Sequence, residues 1–127
     1  MISVALIGLG NIGFEYDLNY DQSEYCLTHY NALKNSKDFK LEFLVDLDNK
    51  AKIYKYKQRF NEDIEIYNTI ETIPKSVDML VFAISPNFVL EALTKYLKKF
   101  ECKYVIGEKL GMMSKENLTK VKLLISK

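Results

Sequence analysis

The sequence predicts a doubly wound parallel α/β sheet, and three observations support this fold class. Apolar runs typical of buried strands alternate about five times with segments of helical spacing. The first run, Val4-Ala5-Leu6-Ile7, leads directly into a glycine-rich turn at residues 8–13. Polar residues follow the ends of the predicted strands, which is the edge where open α/β sheets bind ligands. We therefore expect one sheet with a binding site at that edge.

Hydrophobic patterning places the elements in order along the chain. Strands are predicted at residues 2–7, 41–45, 65–67, 77–84 and 104–106. Helices are predicted from residue 11, around residues 27–33, over 51–60 and 89–97, and after the N-cap residue Ser114, with a brief helical turn at 70–73. Parallel strands joined through helices require right-handed crossovers, so each helix is expected to cover one face of the sheet.

Length and composition limit the classes of protein that the chain can represent. Its 127 residues suffice for one domain, predicted over residues 1–127, and 48% apolar residues can form a core. A net charge of +1 predicts no nucleic-acid or membrane partner, and no apolar run is long enough to span a bilayer. Cys26 and Cys102 are far apart, which favours reduced thiols, no metal site and a cytoplasmic location.

The glycine-rich turn has the pattern of a pyrophosphate site. In Gly8-Leu9-Gly10-Asn11-Ile12-Gly13, the first glycine permits a tight turn and the second lets the backbone approach phosphates. The third lets the helix pack closely on the strand, and the helix N-terminus offers free N–H groups. Arg59 is the only arginine, so backbone N–H groups must supply most of any phosphate binding.

Asp46 follows the second predicted strand and is a candidate for ribose binding. A carboxylate there accepts hydrogen bonds from the adenosine ribose and repels a 2′-phosphate, which favours NAD over NADP. It lies further from Gly13 than the usual ~20 residues, which an acidic and aromatic insertion at residues 15–25 explains. That insertion is either a lid over the cofactor or an ordinary solvated loop. As an alternative, Asp46 only caps the next helix.

The ordered strand-end residues resemble the N-terminal domain of the Gfo/Idh/MocA oxidoreductases (the glucose–fructose oxidoreductase and inositol dehydrogenase group). The matching segments are the glycine turn, Thr28-His29-Tyr30-Asn31-Ala32-Leu33, Val45-Asp46, Ser85-Pro86-Asn87 and Glu108-Lys109. The resemblance implies a single Rossmann domain covering the chain, without the family's C-terminal α/β substrate domain. Leu110 replaces the family's proline, and Leu90 stands where many members have a histidine.

The resemblance also implies a role for each matching residue. Pyrophosphate would be bound by the main chain of Gly8, Gly10, Asn11, Ile12 and Gly13, and the adenosine ribose by Asp46. Ser85, Pro86 and Asn87 would line the nicotinamide-ribose side. Glu108 would contact that ribose, and Lys109 would act in catalysis by stabilising alkoxide character on the substrate. Without the motif, Lys109 would be one more solvated lysine, and His29 is more simply explained as a structural residue of its helix.

The expected function is the cofactor-binding half of an NAD-dependent dehydrogenase. Hydride would pass between the nicotinamide and a sugar, sugar nucleotide or polyol, and a second domain would have to supply the substrate site. The chain alone is therefore expected to bind the dinucleotide without turnover. The alternatives are a stand-alone nucleotide-binding or regulatory module and, less well supported, a methyltransferase, in which Glu108-Lys109 would have no role. The sequence does not reveal the oligomeric state.

Overall fold

The computed structural model describes residues 1–8, 29–46, 64–107 and 114–125. These residues form five strands, three helices and one short 3-10 turn, in the alternating order that the sequence predicts. The strands are β1 (Ile2–Ile7), β2 (Phe39–Val45), β3 (Glu65–Tyr67), β4 (Met79–Phe82) and β5 (Tyr104–Gly107). The helices are α1 (His29–Asn35), α2 (Pro86–Leu97) and α3 (Lys115–Ile125), and the 3-10 turn is Ile70–Thr72.

All four strand pairings are parallel, and the strand order is β3-β2-β1-β4-β5. The predicted fold class is therefore confirmed. The chain builds outward from β1 to β3 and then crosses back to place β4 on the other side of β1. The switch point of the topology thus lies between β1 and β4, and open α/β sheets bind their ligands at such a point.

Two apolar layers cover the two faces of the sheet. Because side chains alternate along a strand, Ala5 and Ile7 of β1 face one layer, and Val4 and Leu6 face the other. Helices α2 and α3 cover the first face with the buried side chains of Val89, Ala92, Leu93, Tyr96 and Val121. Helix α1 contributes Leu33 to the second face. β1 is buried on both faces from Val4 to Ile7, as its continuous apolar run predicts.

Strand β4 is shorter than predicted, because its two preceding residues bond elsewhere. The N–H of Val77 donates to the hydroxyl of Tyr96 in α2 at 2.9 Å, and the N–H of Asp78 donates to the Ser3 hydroxyl at 2.9 Å. Helix α2 begins earlier than its apolar spacing indicates, since Pro86 occupies the first turn. β2 begins at Phe39 rather than at residue 41. The predicted helical segments at residues 11 and 51–60 lie outside the described residues.

Ser3 and Asp78 join the starts of the two central strands by reciprocal hydrogen bonds. While the Asp78 N–H donates to Ser3, the N–H of Ser3 donates to the Asp78 carboxylate at 3.1 Å. Hydrogen bonding from the backbone and then the side chain of Ser3, helped by the nearby Lys103 charge, lowers the pKa of Asp78 below its usual value. The ionised form of Asp78 is therefore the one that the folded chain stabilises.

We expect this pair to make the chain less stable in acid. A carboxyl group whose pKa is lowered by folding stabilises the fold above its unfolded pKa, about 4, and that contribution is lost as pH falls through the folded pKa. Denaturant unfolding between pH 7 and pH 3 should show this loss. Asp78→Asn should lower stability at pH 7 and weaken the dependence below pH 5. Asp38→Asn, at an exposed carboxylate, is the matched control, and an equal effect there would contradict the assignment.

Candidate functional site

The carboxyl ends of four strands meet at one edge of the sheet, held by backbone hydrogen bonds just beyond the ladders. The Gly8 N–H donates to the Val45 carbonyl at 2.8 Å, which ties the end of β1 to the end of β2. The Asp46 N–H donates to Tyr67 at 2.9 Å, and the Ala83 N–H donates to Ile7 at 2.7 Å. Residues 8, 46 and 83 therefore leave the sheet at the same level and form the base of the candidate site.

Gly8 occupies a position that only glycine can fill. Its φ is +101°, a conformation that residues with a Cβ rarely adopt. A Cβ built on Gly8 would lie 2.5 Å from the carbonyl oxygen of Ala83 and 2.6 Å from Cγ2 of Ile84. The chain leaving β1 therefore crosses directly over the chain leaving β4. The positive φ of Gly8 at the switch point fits the tight turn required of the first glycine in a pyrophosphate-binding turn.

Asp46 is the buried acidic residue of the described part of the chain. Its side chain is 7% exposed and lies directly after β2, one residue beyond the carbonyl that accepts from Gly8. Burial of a carboxylate is costly unless hydrogen-bond donors face it, so a carboxylate in this place is unusual for a purely structural residue. The position is the one predicted for ribose binding. The alternative role as a helix cap concerns residues 47–50, outside the described residues.

The segment after β4 forms the first turn of α2. Ser85 is the N-cap residue, Pro86 and Asn87 follow in the helix, and the Phe88 N–H donates to the Ser85 carbonyl at 2.9 Å. The Ser85 side chain makes no cap hydrogen bond, and both Ser85 and Asn87 are exposed. The positive end of a 12-residue helix thus lies at the same edge as Gly8 and Asp46.

Five of the predicted site residues are therefore brought to one edge, and they are Gly8, Asp46, Ser85, Pro86 and Asn87. Pro86 lies between Ser85 and Asn87 at the start of α2. The remaining predicted site residues lie outside the described residues, and they are Gly10, Asn11, Ile12, Gly13, Glu108 and Lys109. The insertion at residues 15–25 lies outside them as well. His29 is the first residue of α1, and this helix packs against β2.

Sequence reasoning did not find the part played by Ala83 and Ile84. These two residues form the surface against which Gly8 packs, and they are separated from it by about 75 positions in the chain. Nothing in their residue types marks them. The start of α2 was also missed, although proline is over-represented in the first turn of helices and Ser85-Pro86 could have indicated it.

A cavity of about 620 Å³ lies at the opposite edge of the sheet, near the amino ends of β4 and β5. Asp78, Lys98, Glu101 and Cys102 are among its mixed polar and apolar lining residues. Burial raises the pKa of the Cys102 thiol, which donates to the Tyr104 carbonyl at 3.0 Å, so the folded chain favours the protonated thiol. Parallel sheets bind ligands at their carboxyl edge, so we place the candidate site at the Gly8 edge rather than in this cavity.

Within the described residues, no three histidine, cysteine, aspartate or glutamate side chains are grouped in a way that could hold a metal ion. Within them also, no helix has the length and apolar character needed to cross a membrane.

A parallel sheet in this order, with a glycine at the switch point and a buried aspartate after β2, defines the Rossmann class of α/β domains. Several solved structures have the same fold. A Gfo/Idh/MocA family oxidoreductase from Vibrio cholerae has a TM-score of 0.65 and 15% identity. A dehydrogenase from Chromobacterium violaceum has a TM-score of 0.59 and 22% identity. A Klebsiella pneumoniae protein described as an oxidoreductase has a TM-score of 0.66 and 19% identity.

These matches cover 99% of this chain and 31–35% of the solved chains, so the chain spans about a third of their length. At these identities the likeness establishes the fold. The resemblance to the fold of the Gfo/Idh/MocA oxidoreductases, expected from the strand-end motifs, is therefore confirmed. No protein-family model matches the sequence, and no curated protein sequence matches it.

Proposed function

We propose that this chain binds NAD at the carboxyl edge of its sheet and forms the cofactor-binding part of an oxidoreductase. The observation that carries the proposal is Gly8, held at a positive φ over the Ala83 backbone, with the buried Asp46 beside it. The turn that begins at Gly8 would bring N–H groups to the pyrophosphate, and Asp46 would accept hydrogen bonds from the adenosine ribose. The names of the structural neighbours support the same class of activity.

The remaining roles follow the other strand ends. The first turn of α2, with Ser85 and Asn87, lies on the β4 side of the switch point, where it would line the nicotinamide ribose. Glu108 and Lys109 follow β5 in sequence, and Lys109 would stabilise negative charge on the substrate oxygen as hydride leaves the neighbouring carbon. When bound, the nicotinamide supplies the hydride acceptor. The substrate would be a sugar, sugar nucleotide or polyol. Its binding site would be completed by further polypeptide of the kind that the longer neighbours possess.

Calorimetric titration with NAD⁺, NADH and NADP⁺ tests the cofactor assignment on the chain as it exists. We expect saturable binding of both NAD forms and weaker binding of NADP⁺, because the Asp46 carboxylate repels a 2′-phosphate. If no heat of binding is detected up to millimolar dinucleotide, the proposal is wrong. Dehydrogenase turnover by this chain alone would contradict the assignment of substrate binding to further polypeptide.

Asp46→Asn provides the matching test of the ribose contact. Hydrogen bonds to a charged group contribute about 1.5–3 kcal/mol, so the variant should bind NAD⁺ about 10- to 150-fold more weakly. Its affinity for NADP⁺ should rise relative to that for NAD⁺, since the repulsive charge is removed. Asp38→Asn, at the start of β2 and therefore at the opposite edge, should bind both cofactors as the parent chain does.

The second candidate function is a stand-alone nucleotide-binding module without turnover. Its supporting observation is that Gly8 and the buried Asp46 account for nucleotide binding without assigning any catalytic group. Both candidates predict NAD binding and loss of affinity in Asp46→Asn. They differ when substrate-domain polypeptide from an oxidoreductase of this fold is added: restored turnover with sugar substrates supports the enzyme, and no turnover with intact NAD binding supports the module.

A further inference from the structure

Strand β2 contains one residue more than its neighbour β1 over the length in which the two strands pair. Val4 of β1 pairs with Leu41, and the next residue, Ala5, pairs with Phe43, so Glu42 is left out of this register. An extra residue of this kind is a β-bulge, which is rare between parallel strands. Bulges are frequent next to functional sites, where they change the direction of a side chain, and this one lies in the strand that leads to the candidate site.

The directions of the side chains agree with the position of the bulge. Leu41 and Leu44 both contact the apolar layer to which α1 contributes, although they are three positions apart. Side chains alternate along a regular strand, so residues three apart would face opposite layers. Phe43 and Val45 contact the other layer, as alternation beyond the bulge requires. The residue that interrupts the alternation is therefore Glu42.

The apolar pattern of β2 does not by itself decide where the extra residue lies. The segment beyond the bulge, Phe43-Leu44-Val45, is at most 1% exposed, because both faces of the sheet are covered there. A slip by one residue exchanges the two faces of a strand, which patterning opposes strongly where only one face is buried. Here the slipped register would again place apolar side chains on both buried faces. Another feature must therefore select the register.

Glu42 is held at the bulge by two lysines. The Lys75 ammonium donates to Oε2 of Glu42 at 2.8 Å, and the Lys40 ammonium lies 3.4 Å from Oε1. The Glu42 side chain is 17% exposed, whereas both lysines are more than half exposed. The hydrogen bond from Lys75 holds the pKa of Glu42 below its usual value, so the folded chain keeps this carboxylate charged.

The slipped register would remove Glu42 from this place and would also displace Asp46. Glu42 would move to the position beside Ala5 that Phe43 occupies, where the side chain is 1% exposed, and burial of a carboxylate away from its partners is costly. The same slip would move Asp46 outward by one residue, about 3.3 Å, and turn its side chain to the opposite face of the sheet. The level of Asp46 beside Gly8 thus depends on which residue β2 leaves out.

We propose that Glu42, held out of the ladder by Lys75, sets the register of β2 and is thereby a positioning residue for Asp46. The inference rests on the proposed contact of Asp46 with the adenosine ribose. In the bulged register Asp46 follows the end of β2 directly, and its N–H donates to Tyr67 at 2.9 Å. The preference for NAD over NADP therefore depends on an ion pair that touches neither cofactor.

Glu42→Leu tests the register on the chain without any ligand. A leucine can take a buried place in the ladder, so we expect β2 to slip by one residue. Val45, which pairs with Ile7 on the same face, would then lose its methyl contact with that residue, as nuclear Overhauser spectra can measure. Glu116→Leu breaks the exposed pair with Lys120 at 3.3 Å on α3 and is the matched control, which should keep the contact.

Calorimetric titration of the same variants gives the functional readout. Glu42→Leu should bind NAD⁺ about tenfold more weakly or worse, as expected when the Asp46 contact is lost. Its preference for NAD⁺ over NADP⁺ should also fall, which a role in stability alone would not cause. Glu116→Leu should bind both cofactors as the parent chain does.

Deletion of Glu42 provides the rescue. It removes the extra residue and keeps every other pair between β1 and β2, so the deletion variant should bind NAD⁺ with the parent's preference. Lys75→Met should weaken NAD⁺ binding in the parent chain and have no effect in the deletion variant, because no charged residue then needs to be held at a bulge. This pair of measurements gives the same test if Glu42→Leu does not fold.

The outcomes separate this inference from the proposed function. A Val45–Ile7 contact that persists in Glu42→Leu would overturn the inference, and so would an unchanged preference for NAD⁺ or an equal effect of Lys75→Met in both backgrounds. If the parent chain itself does not bind NAD⁺, the proposed function is wrong. The methyl contact then still decides whether Glu42 sets the register.

Discussion

Gly8→Ala is expected to destabilise the chain by about 2–5 kcal/mol and to abolish dinucleotide binding. The left-handed conformation costs about 1–2 kcal/mol for a residue with a Cβ, and overpacking against buried neighbours adds about 1–3 kcal/mol. The added methyl group would meet the Ala83 carbonyl oxygen at 2.5 Å, and a backbone atom cannot move aside as a flexible side chain can. The ends of β1 and β4 must then separate at the point where the pyrophosphate would lie.

Denaturant unfolding and calorimetric titration measure the two effects of this substitution separately. Gly107→Ala is the matched control, since Gly8 is the described glycine with a positive φ and Gly107 lies in regular strand β5. Gly8→Ala combined with Ile84→Ala removes the contact with Cγ2 but leaves the contact with the Ala83 oxygen. We therefore expect the double variant to recover little stability, and full recovery would show that side-chain crowding alone excludes the methyl group.

Tyr96→Ala should cost about 3–5 kcal/mol, the range observed when a large buried side chain is truncated. Tyr96 is fully buried in α2 and packs against Phe100, with ring centroids 5.4 Å apart. Its hydroxyl accepts the N–H of Val77 at 2.9 Å and so attaches the helix to the entrance of β4. Removing it creates a cavity and leaves a buried N–H without its acceptor.

Tyr96→Phe separates the two contributions. It keeps the ring and removes the hydroxyl, which accepts the Val77 N–H at 2.9 Å and donates to the Val77 carbonyl at 3.4 Å, so we expect a loss of about 1–3 kcal/mol. Tyr104→Phe removes the same hydroxyl from a half-exposed ring and should change stability by less than about 0.5 kcal/mol. Chemical denaturation of the three variants measures these differences. Equal losses in Tyr96→Phe and Tyr104→Phe would show that the buried hydrogen bond contributes nothing particular.

Much of the fold was predictable because its strongest patterns are local. The apolar run of β1 and the glycine and polar residues after the strands predicted the fold class, the order of the elements and the edge where the candidate site lies. Asp46 was predictable for the same reason, as a carboxylate directly after a buried strand. The parts that were not predictable depend on contacts between distant residues. The Val77 N–H does not join the β4 ladder because it donates to the Tyr96 hydroxyl. The residues next to Val77 in the sequence do not indicate this bond.

Edge and central strands are also difficult to distinguish from sequence. Tyr104-Val105-Ile106 is as apolar as the segments of β1, yet two of its three side chains are half exposed, because β4 is the one strand that pairs with β5 among the described residues. Apolar character predicts that a strand exists, whereas the number of neighbours it has is a property of the whole topology. The same limit applies to Gly8, whose turn was predictable from the glycine pattern but whose packing partner, Ala83, was not.

The central position of β1 has a consequence for synthesis of the chain. β1 pairs with β4, and Ser3 bonds to Asp78, 75 positions later. At synthesis rates of about 5–20 residues per second, the apolar β1 segment waits about 4–15 s before its partner has been made. During that time its two faces and one edge must be kept from other chains, so the ribosome-bound intermediate, rather than the finished domain, is the form of this protein most in need of chaperone protection.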